Sequence, residues 1–439
     1  MFSTSTHKFN YLFYRTVIFS FFVFCILPLT SCQKSANSVS ATSTSTVDEI
    51  NSEIWRRYID KNYIFNDYKD LNGGVIYPTV QEYKDGKPNA TGWWSPTENG
   101  SMFGGLYMDG AIKRWEHTRK PEDSLKVRNL ASGLMLLATV SSVEGFFARG
   151  YNGSDGNAYY PMSSDDQAGG WIYGMWRYLE TTIPTASERT NIENKIIAAS
   201  KAMVSKNWGI PAEPPFNVRG SFAPFDYRAA RLLFTAKICY KITKDSYWNN
   251  LYLKTMAETG GPLKESRLQI LADGLASQAK TTDTWHNSPS FACLRSLWEL
   301  EEDTAIKESY RKGLETTATN ALASLKKAGY YPQNDTNSLS IDWRPMNKFW
   351  KVQTSPAQAD SVAYAQLADW MKRQPRRSTE VAYVREPIFA AWAISLAPDK
   401  KVLQSRKNDL MAVFNTYKFN KLYFVYFFPL EAVWWRLQE

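Results

Sequence analysis

Histidine and cysteine are scarce in this chain of 439 residues, which contains three histidines and four cysteines. After Cys32 the chain contains only His117, His286, Cys239 and Cys293, and they form no cluster with the spacing of metal ligands. A zinc site and a Ser-His-Asp triad therefore have little support, and we expect neither a metal nor a cofactor. Both cysteines lie in apolar helical patterns, which predict buried thiols.

Alternating polar and apolar runs, the pattern of half-buried strands, are rare after residue 46, and no run rich in lysine and arginine has helical spacing. The first absence favours an all-α fold, and the second argues against nucleic acid as a partner. The formal net charge is +9, and it falls to +7 if residues 1–31 are removed. Because a basic surface attracts acidic partners, we expect an acidic oligosaccharide as the ligand.

The N-terminal segment has the pattern of a targeting signal. Lys8 and Arg15 precede the apolar run "VIFSFFVFCILPLT", which leads to the sequence LTSC at residues 29–32. That ending is similar to the bacterial lipobox, in which the cysteine becomes the lipidated first residue. We predict a lipoprotein signal over residues 1–31, lipidation of Cys32 in the bacterial cell envelope, and a Ser/Thr-rich tether over residues 32–46. A simple secretory signal is the alternative.

Two kinds of helical segment alternate along residues 47–439. One kind is apolar, aromatic and rich in small residues, and the other is longer and amphipathic. Helices that are apolar all round are buried, whereas those with a polar face meet solvent, so the alternation predicts helical hairpins with inner and outer members. Six hairpins can close around a shared core, and we predict a single (α/α)6 toroid, although an open solenoid would show the same alternation. The inner segments are 104–117, 169–180, 227–240, 288–300, 386–396 and 428–437, and the clearest outer ones are 121–142, 186–206, 304–327 and 400–417.

Long polar loops rich in Trp, Tyr, Arg and Asp lead into the inner segments. Binding and catalytic residues concentrate on loops that a rigid scaffold positions, so we expect these loops to form a cleft at one end of the toroid. The loops are 62–102, 145–167, 207–226, 281–289 and 330–350.

Two adjacent acids, Asp165 and Asp166, stand at the end of the 145–167 loop in "YYPMSSDDQAGGWIYGMWRYLE". Ser164 and Gln167 have the spacing of a capping box, and acids in a first helical turn are favoured by the helix dipole. Helix initiation alone accounts for both acids. It does not account for the aromatic and basic residues around them or for the two glycines that follow, which lower helix propensity. Catalysis by Asp165 or Asp166 is therefore the competing hypothesis.

Asp109 is the best candidate for a second catalytic carboxylate. It lies among glycines in the preceding inner segment, "GGLYMDGAIKRWEH", and in a ring of hairpins we expect it near the entrance of the next inner helix. The alternative for Asp109 is another acid at a helix N-terminus. Aromatic rings stack on sugar faces and arginine binds carboxylates in a bidentate manner, which indicates further ligand contacts. The candidate substrate-binding residues are Arg149, Tyr151, Gln167, Trp171, His286, Trp343 and Arg344.

The lipoprotein signal, the aromatic inner helices, "MDG" in one of them and a loop acid before "GWIYGMWRY" resemble the six-hairpin glycosidase superfamily. Within it, residues 50–437 are similar in layout to the unsaturated glucuronyl and rhamnogalacturonyl hydrolases of Bacteroidetes. The resemblance implies that an Asp protonates the C4=C5 double bond of a terminal unsaturated uronic acid and activates water at C5, with a second Asp assisting. It assigns these roles to Asp165 or Asp166 and to Asp109.

The resulting hypothesis is a membrane-anchored glycoside hydrolase that releases a terminal uronic acid or related acidic sugar from polysaccharide-derived oligosaccharides. Whether the sugar is unsaturated stays open, since an exo-glucuronidase acting on saturated glucuronides fits the same layout. One alternative is a glycan-binding surface lipoprotein without catalysis. Another is a polysaccharide lyase, which would use Tyr151, Arg149 and His286 near the uronate.

Overall fold

Helices form most of the regular structure in the computed structural model, which describes residues 44–153, 158–275 and 284–439. Within these ranges the strands make only two short antiparallel hairpins, so the predicted all-α class is confirmed. The α-helices, numbered along the chain, are α1 Thr44–Glu53, α2 Val80–Asp85, α3 Gly100–Thr118, α4 Pro121–Thr139, α5 Asp165–Leu179, α6 Ala186–Ser205, α7 Ala229–Thr243, α8 Ser246–Ala257, α9 Arg267–Ala272, α10 Ser288–Leu300, α11 Thr304–Leu325, α12 Pro356–Arg373, α13 Pro375–Glu380, α14 Glu386–Ser395, α15 Lys400–Ser405, α16 Lys407–Thr416 and α17 Pro429–Gln438.

Shorter elements connect these helices. A π-helical segment follows α1, and another joins α13 to α14 without a break in the helical course. Such π segments are rare and occur frequently at functional sites. The π segments are Ile54–Tyr58 and Val381–Arg385, the 3-10 segments are Lys326–Tyr330, Arg344–Phe349 and Phe419–Lys421, and the strands are β1 Gly209–Pro211, β2 Val218–Ser221, β3 Thr259–Gly260 and β4 Glu265–Ser266.

The predicted signal over residues 1–31 and the lipidation site Cys32 lie outside the described residues. The predicted tether over residues 32–46 does so as well, apart from its last three residues, which belong to α1. In the described part of the chain, no helix combines the length and the apolar character needed to cross a membrane.

All six segments predicted to be inner helices are helical, and they correspond to α3, α5, α7, α10, α14 and α17. In α14 every residue from Glu386 to Ser395 is buried. The outer helix α6 instead buries one stripe, formed by Ile192, Ile196, Ala199 and Met203, and presents charged side chains on its other faces. Spacings of three and four residues place that stripe on a single helix face, as the amphipathic pattern predicts.

The inner helices contact one another in a continuous succession. Helix α3 contacts α5, α5 contacts α7, α7 contacts α10, α10 contacts α14, α14 contacts α17, and α17 contacts α3 again. Outer helices pack against this set: α4 lies on α3 and α5, α6 on α5 and α7, α8 on α7, and α11 on α10 and α14. The contacts therefore link the last inner helix to the first, as a closed toroid requires.

Glycines allow α3 and α5 to approach closely. A Cβ atom on Gly105 would lie 1.9 Å from the carbonyl oxygen of Gly170, and one on Gly170 would lie 2.7 Å from Cα of Met102. These distances leave no room for any side chain, because the obstructing atoms belong to backbone. Helix contact thus explains Gly170 in the sequence after Asp166.

Candidate active site

A cleft of about 490 Å3 opens where four of the inner helices begin. Its lining includes Asn99 before α3, Asp165 in the first turn of α5, Tyr227 before α7 and His286 before α10. Helix N-termini carry a partial positive charge because their first N–H groups have no partner within the helix. Their convergence favours an anionic ligand. The lining is completed by Trp93, Trp94, Glu98, Met102, Arg149, Asp166, Arg219, Arg231, Trp285, Tyr364, Leu367, Met371, Arg377, Val381 and Arg385.

Loops and helices share this lining. Four of the predicted cleft loops contribute to it, whereas the described residues of the 330–350 loop do not. Helix α12, the short helix α13 and the π segment that follows it supply the remaining wall, through residues such as Tyr364, Arg377 and Arg385.

Asp166 is held by a chain of hydrogen bonds. Nη2 of Arg149 donates to Oγ of Ser164 at 2.7 Å, and the Ser164 hydroxyl donates in turn to Oδ1 of Asp166. The backbone N–H of Gln167 donates to the same oxygen at 2.8 Å. Burial acts to raise the pKa of Asp166, but Arg149, the Ser164 hydroxyl and further arginines outweigh it, so the pKa lies below its usual value. Asp166 is therefore an ionised carboxylate, as a base or nucleophile must be.

The predicted capping box between Ser164 and Gln167 is wrong. Ser164 does occupy the N-cap position of α5, but its hydroxyl bonds to Asp166 and Arg149 and makes no capping hydrogen bond to the helix. Both of its bonds involve a charged partner, and such bonds are stronger than a bond to a neutral backbone N–H. The serine thus orients the acid of its own helix.

Glu98 lies in the same cleft, two residues before α3, and its carboxyl group has different surroundings. Oε2 of Glu98 accepts a hydrogen bond of 3.0 Å from the backbone N–H of Trp94. Burial raises the pKa of Glu98, and the negative charge of Asp166 adds to that effect, while the hydrogen bond and nearby arginines oppose it. Glu98 therefore keeps its proton to higher pH than an ordinary glutamate, which suits a general acid.

A second buried carboxyl group, that of Asp67, adjoins Glu98. Both line a small cavity of about 20 Å3 next to the cleft. The backbone N–H and the side-chain amide of Asn99 donate to the two oxygens of Asp67 at 2.8 and 2.6 Å. Burial first, and then the charge of Glu98, raise the pKa of Asp67 well above its usual value. Because two like charges repel, the pair retains a proton beyond the pH at which an isolated carboxyl loses it.

The cleft carries more positive than negative side chains. Its lining contains five arginines but only three acidic residues. Four of the arginines lie over aromatic rings of the same lining, which is a favourable cation–π arrangement. The guanidinium-to-centroid distances are 5.5 Å for Arg219 over Trp93, 5.2 Å for Arg231 over Tyr227, 5.3 Å for Arg377 over Trp94 and 4.4 Å for Arg385 over Trp285.

Arg377 differs from the other cleft arginines in its partners. Its guanidinium makes no hydrogen bond or ion pair within the described residues, whereas Arg231 uses Nε, Nη1 and Nη2 on Ser290, Asp165 and the carbonyl of His286. Arginine donors arranged as a planar fork match the two oxygens of a carboxylate. Arg377 therefore offers unused donors to an anionic ligand.

Asp165 and His286, both predicted as site residues, line the cleft at different helices. Asp165 lies in the first turn of α5, and His286 lies just before α10. Oδ2 of Asp165 accepts a hydrogen bond of 2.7 Å from Arg231, which forms an ion pair with it. The exposed ring of His286 packs edge-on against Trp285 with the ring centroids 4.6 Å apart. Arg149, also predicted, lines the cleft beside Asp166.

The structure does not place Asp109 in the cleft. Asp109 is fully buried, and both of its oxygens bind Arg436 of α17, at 2.6 and 2.7 Å. The indole N–H of Trp392 donates to it at 3.1 Å. The expectation was wrong because α3 begins at Gly100 and not near Asp109, which therefore lies about 13 Å along the helix from its N-terminus. Its role is to join α3 to α17.

Three predicted substrate contacts on or before α5 instead contact other parts of the protein. The fully buried indole of Trp171 donates to the Leu134 carbonyl at 2.7 Å. Gln167 accepts from the backbone N–H of Met102 at 3.0 Å and so fixes the start of α3. Tyr151 packs against an apolar cluster that includes Phe146 and does not line the cleft. Hydrophobic burial thus decides the positions of the two aromatic side chains.

The predicted clamp of Trp343 and Arg344 is not part of the cleft either. Trp343 is fully buried, and its indole N–H donates to the carbonyl of Ile76 at 2.9 Å. Arg344 forms an ion pair with Glu82 at the start of α2, with a shortest distance of 2.7 Å. The two residues fasten the 330–350 loop to α2 and to Ile76 before it, which leaves no free sugar platform.

The sequence patterns did not reveal Glu98, Asp67 or Arg377. Glu98 stands just before a glycine-rich inner helix, and Asp165 and Asp166 stand at the start of another. That parallel was the available signal. Arg377 lies in a helix, and only packing brings it to the cleft. Among the described residues, no three His, Cys, Asp or Glu side chains group as a metal site would require.

The chain matches no protein-family model, no curated protein and no solved structure. The geometry and charges of the cleft are therefore the basis for assigning a function.

Proposed function

We propose that the protein is a glycoside hydrolase that releases an acidic sugar from the end of an oligosaccharide. One observation carries the proposal: a single cleft contains two carboxyl groups, Glu98 and Asp166, whose pKa values are shifted in opposite directions. Glycoside hydrolysis requires a protonated carboxyl group and an ionised one on either side of the scissile bond. The (α/α)6 toroid belongs to the same proposal and is supported by the succession of contacts among the inner helices.

Each carboxyl group has a distinct role in the proposed reaction. Glu98 donates its proton to the glycosidic oxygen, so the leaving sugar departs as a neutral alcohol. Asp166 removes a proton from the water that attacks the anomeric carbon. In a retaining reaction it attacks that carbon itself, and water activated by Glu98 then hydrolyses the glycosyl-enzyme. On an unsaturated uronide the proton would go to C4 and the water to C5, and opening of the resulting hemiketal would release the leaving sugar. Asp165, already paired with Arg231, orients that arginine.

The acidic group of the substrate is assigned to Arg377. Its donors are unused within the described residues, it lies over Trp94, and the cleft lining has an excess of positive charge. A uronate ring could stack on the aromatic surface while its carboxylate binds the guanidinium. The same features would also serve a glycan-binding protein without catalysis. A lyase that uses Tyr151 as its base is less well supported, because Tyr151 does not line the cleft.

The test is product release from saturated and unsaturated uronyl oligosaccharides by the wild type and by Asp166→Asn. The substitution should reduce kcat by about 10²- to 10⁴-fold, the range for loss of a general base. Asp369→Asn is the control, since this acid lies on α12 in ion pairs with Lys348 and Arg373 outside the cleft. Equal turnover by the wild type and Asp166→Asn would contradict the proposal. Binding of every substrate without cleavage would favour the glycan-binding alternative.

Attachment to the bacterial cell envelope through Cys32 remains part of the proposal. It is supported by the sequence "LTSC" after the apolar run and by the Ser/Thr-rich residues that follow. Incorporation of a labelled fatty acid into the full-length protein, and its loss in Cys32→Ser, would test it. A soluble, unlabelled product cut near Ser31 would indicate the secretory alternative.

A further inference from the structure

One wall of the cleft differs in character from the arginine-rich remainder. From helix α12, Tyr364, Leu367 and Met371 line this wall, and Asp360 accepts a hydrogen bond from Arg219 of the same lining. Their spacings of four, three and four residues place the four side chains on one helix face. Tyr364 is 62% exposed and Met371 46% exposed, although both are large and apolar in most of their surface. Exposed apolar groups that adjoin a binding cleft mark a contact surface for a ligand.

Trp93 extends this wall from the facing loop. Its ring lies edge-on to that of Tyr364, with centroids 5.7 Å apart and planes at 82°. Together Trp93, Tyr364, Leu367 and Met371 form what we name the apolar shelf. A polar edge borders it: Arg219 of β2 lies over Trp93 at 5.5 Å and binds Asp360 of α12 at 3.1 Å.

We propose that the apolar shelf is a second sugar subsite, which binds the neutral leaving-group ring of the oligosaccharide. The proposal rests on the proposed hydrolase function and adds where the second ring lies and that it is uncharged. Sugar rings present C–H faces that pack on aromatic and apolar side chains, and their hydroxyl groups would reach the polar edge formed by Arg219 and Asp360.

Charge and size favour a sugar ring over other occupants. Arg219 and Asp360 form an ion pair with no net charge, so an acidic ring gains nothing at the shelf, whereas the rest of the cleft lining has four arginines against three acids. Four side chains are too few for a stable protein interface, which needs about 800 Å2 from each partner. The shelf also belongs to the lining that contains Glu98 and Asp166, so one oligosaccharide can occupy both regions.

The experiment compares two substrates with the same uronyl ring: a methyl glycoside and a disaccharide in which a neutral hexose is the leaving group. Tyr364→Ala should lower kcat/KM for the disaccharide about tenfold more than for the methyl glycoside, the size of one aromatic packing contact. Tyr330→Ala is the matched control, because Tyr330 is 72% exposed and lies outside the cleft lining. An equal loss of kcat/KM on both substrates, or no loss on either, would contradict the proposed second subsite.

A binding measurement separates failure of the shelf from failure of the hydrolase proposal. Calorimetry on Asp166→Asn, with and without Tyr364→Ala, would compare the disaccharide with the free uronic acid. Suppose that the wild type shows no cleavage and that Tyr364→Ala nevertheless weakens disaccharide binding about tenfold. The apolar shelf is then a sugar-binding site, and the hydrolase proposal fails. If cleavage occurs but Tyr364→Ala weakens the two ligands equally, the hydrolase stands and the shelf is rejected.

Discussion

Arg231 donates a hydrogen bond of 2.7 Å from Nη1 to Oδ2 of Asp165, which ties the beginning of α7 to the first turn of α5. Asp165 is thereby engaged with a buried guanidinium, while its neighbour Asp166 is oriented by Ser164 and keeps an ionised carboxylate in the cleft. Two adjacent acids of one sequence thus have different electrostatic partners, and this difference distinguishes their expected roles.

Substitution of the two acids should therefore have unequal effects. Asp165→Asn keeps an oxygen that can accept from Arg231, so we expect kcat to fall less than about tenfold. Asp166→Asn removes the proposed base and should cost about 10²- to 10⁴-fold in kcat. Steady-state kinetics would measure kcat for both variants, and thermal unfolding would show that each is folded. A larger loss for Asp165→Asn would reverse the assignment.

The pH dependence of kcat/KM should be bell-shaped. The pKa of Asp166 is lowered, so this base stays ionised until the pH falls well into the acid range. Its protonation there produces the acid limb of the profile. The pKa of Glu98 is raised, so activity is lost on the alkaline side as the proposed acid gives up its proton. Glu98→Gln should lower kcat and remove the alkaline limb. An unchanged alkaline limb in this variant would assign the proton donor elsewhere.

Arg377→Gln should weaken binding of acidic sugars while sparing neutral ones. Loss of a charge-assisted pair in a cleft corresponds to about 1.5–3 kcal/mol, or about 10- to 100-fold in KM. Arg373→Gln, four residues earlier and paired with Asp369 outside the cleft, is the matched control. Equal effects of the two substitutions, measured on a uronide, would show that Arg377 acts only through general charge.

The buried pair of Asp109 and Arg436 predicts a large effect on stability. Asp109→Asn should reduce the free energy of unfolding by about 3–5 kcal/mol, since it leaves a buried guanidinium without its counter-charge. The pKa of Asp109 is lowered in the folded protein, so the pair stabilises the fold above the pKa of an unfolded Asp, about 3.9, and this stabilisation is lost as the pH falls. Denaturant unfolding at neutral and acidic pH would measure both. Activity per folded molecule should be retained, and its complete loss would return Asp109 to the candidate catalytic residues.

Gly105→Ala tests the close contact of α3 and α5. The new methyl group would lie 1.9 Å from the Gly170 oxygen, so the helices must separate, at a cost of about 3 kcal/mol in the free energy of unfolding. Gly329→Ala is the control, because nothing lies within 4 Å of the added atom. Comparable stability of the two variants would mean that the helix contact is looser than described.

Local sequence patterns determined the helices and which of them are buried. Each predicted inner segment is a helix, because apolarity all round a helix leaves burial as the only stable position. The same patterns located the acids at the start of α5. Residue types that serve both packing and binding were ambiguous: Trp171 and Trp343 were predicted to bind sugar, and both are fully buried.

The sequence by itself thus determined an all-α chain with aromatic inner helices and a loop of acids and arginines at one of them. Only the tertiary structure decided which side chains face one another. It joined Asp109 to Arg436, residues 327 positions apart, and brought Glu98 and Arg377 into the cleft with Asp166. The reason is physical: helix formation depends on neighbours three or four residues away, whereas ion pairing, burial and the resulting pKa values depend on distances that only the packed helices define.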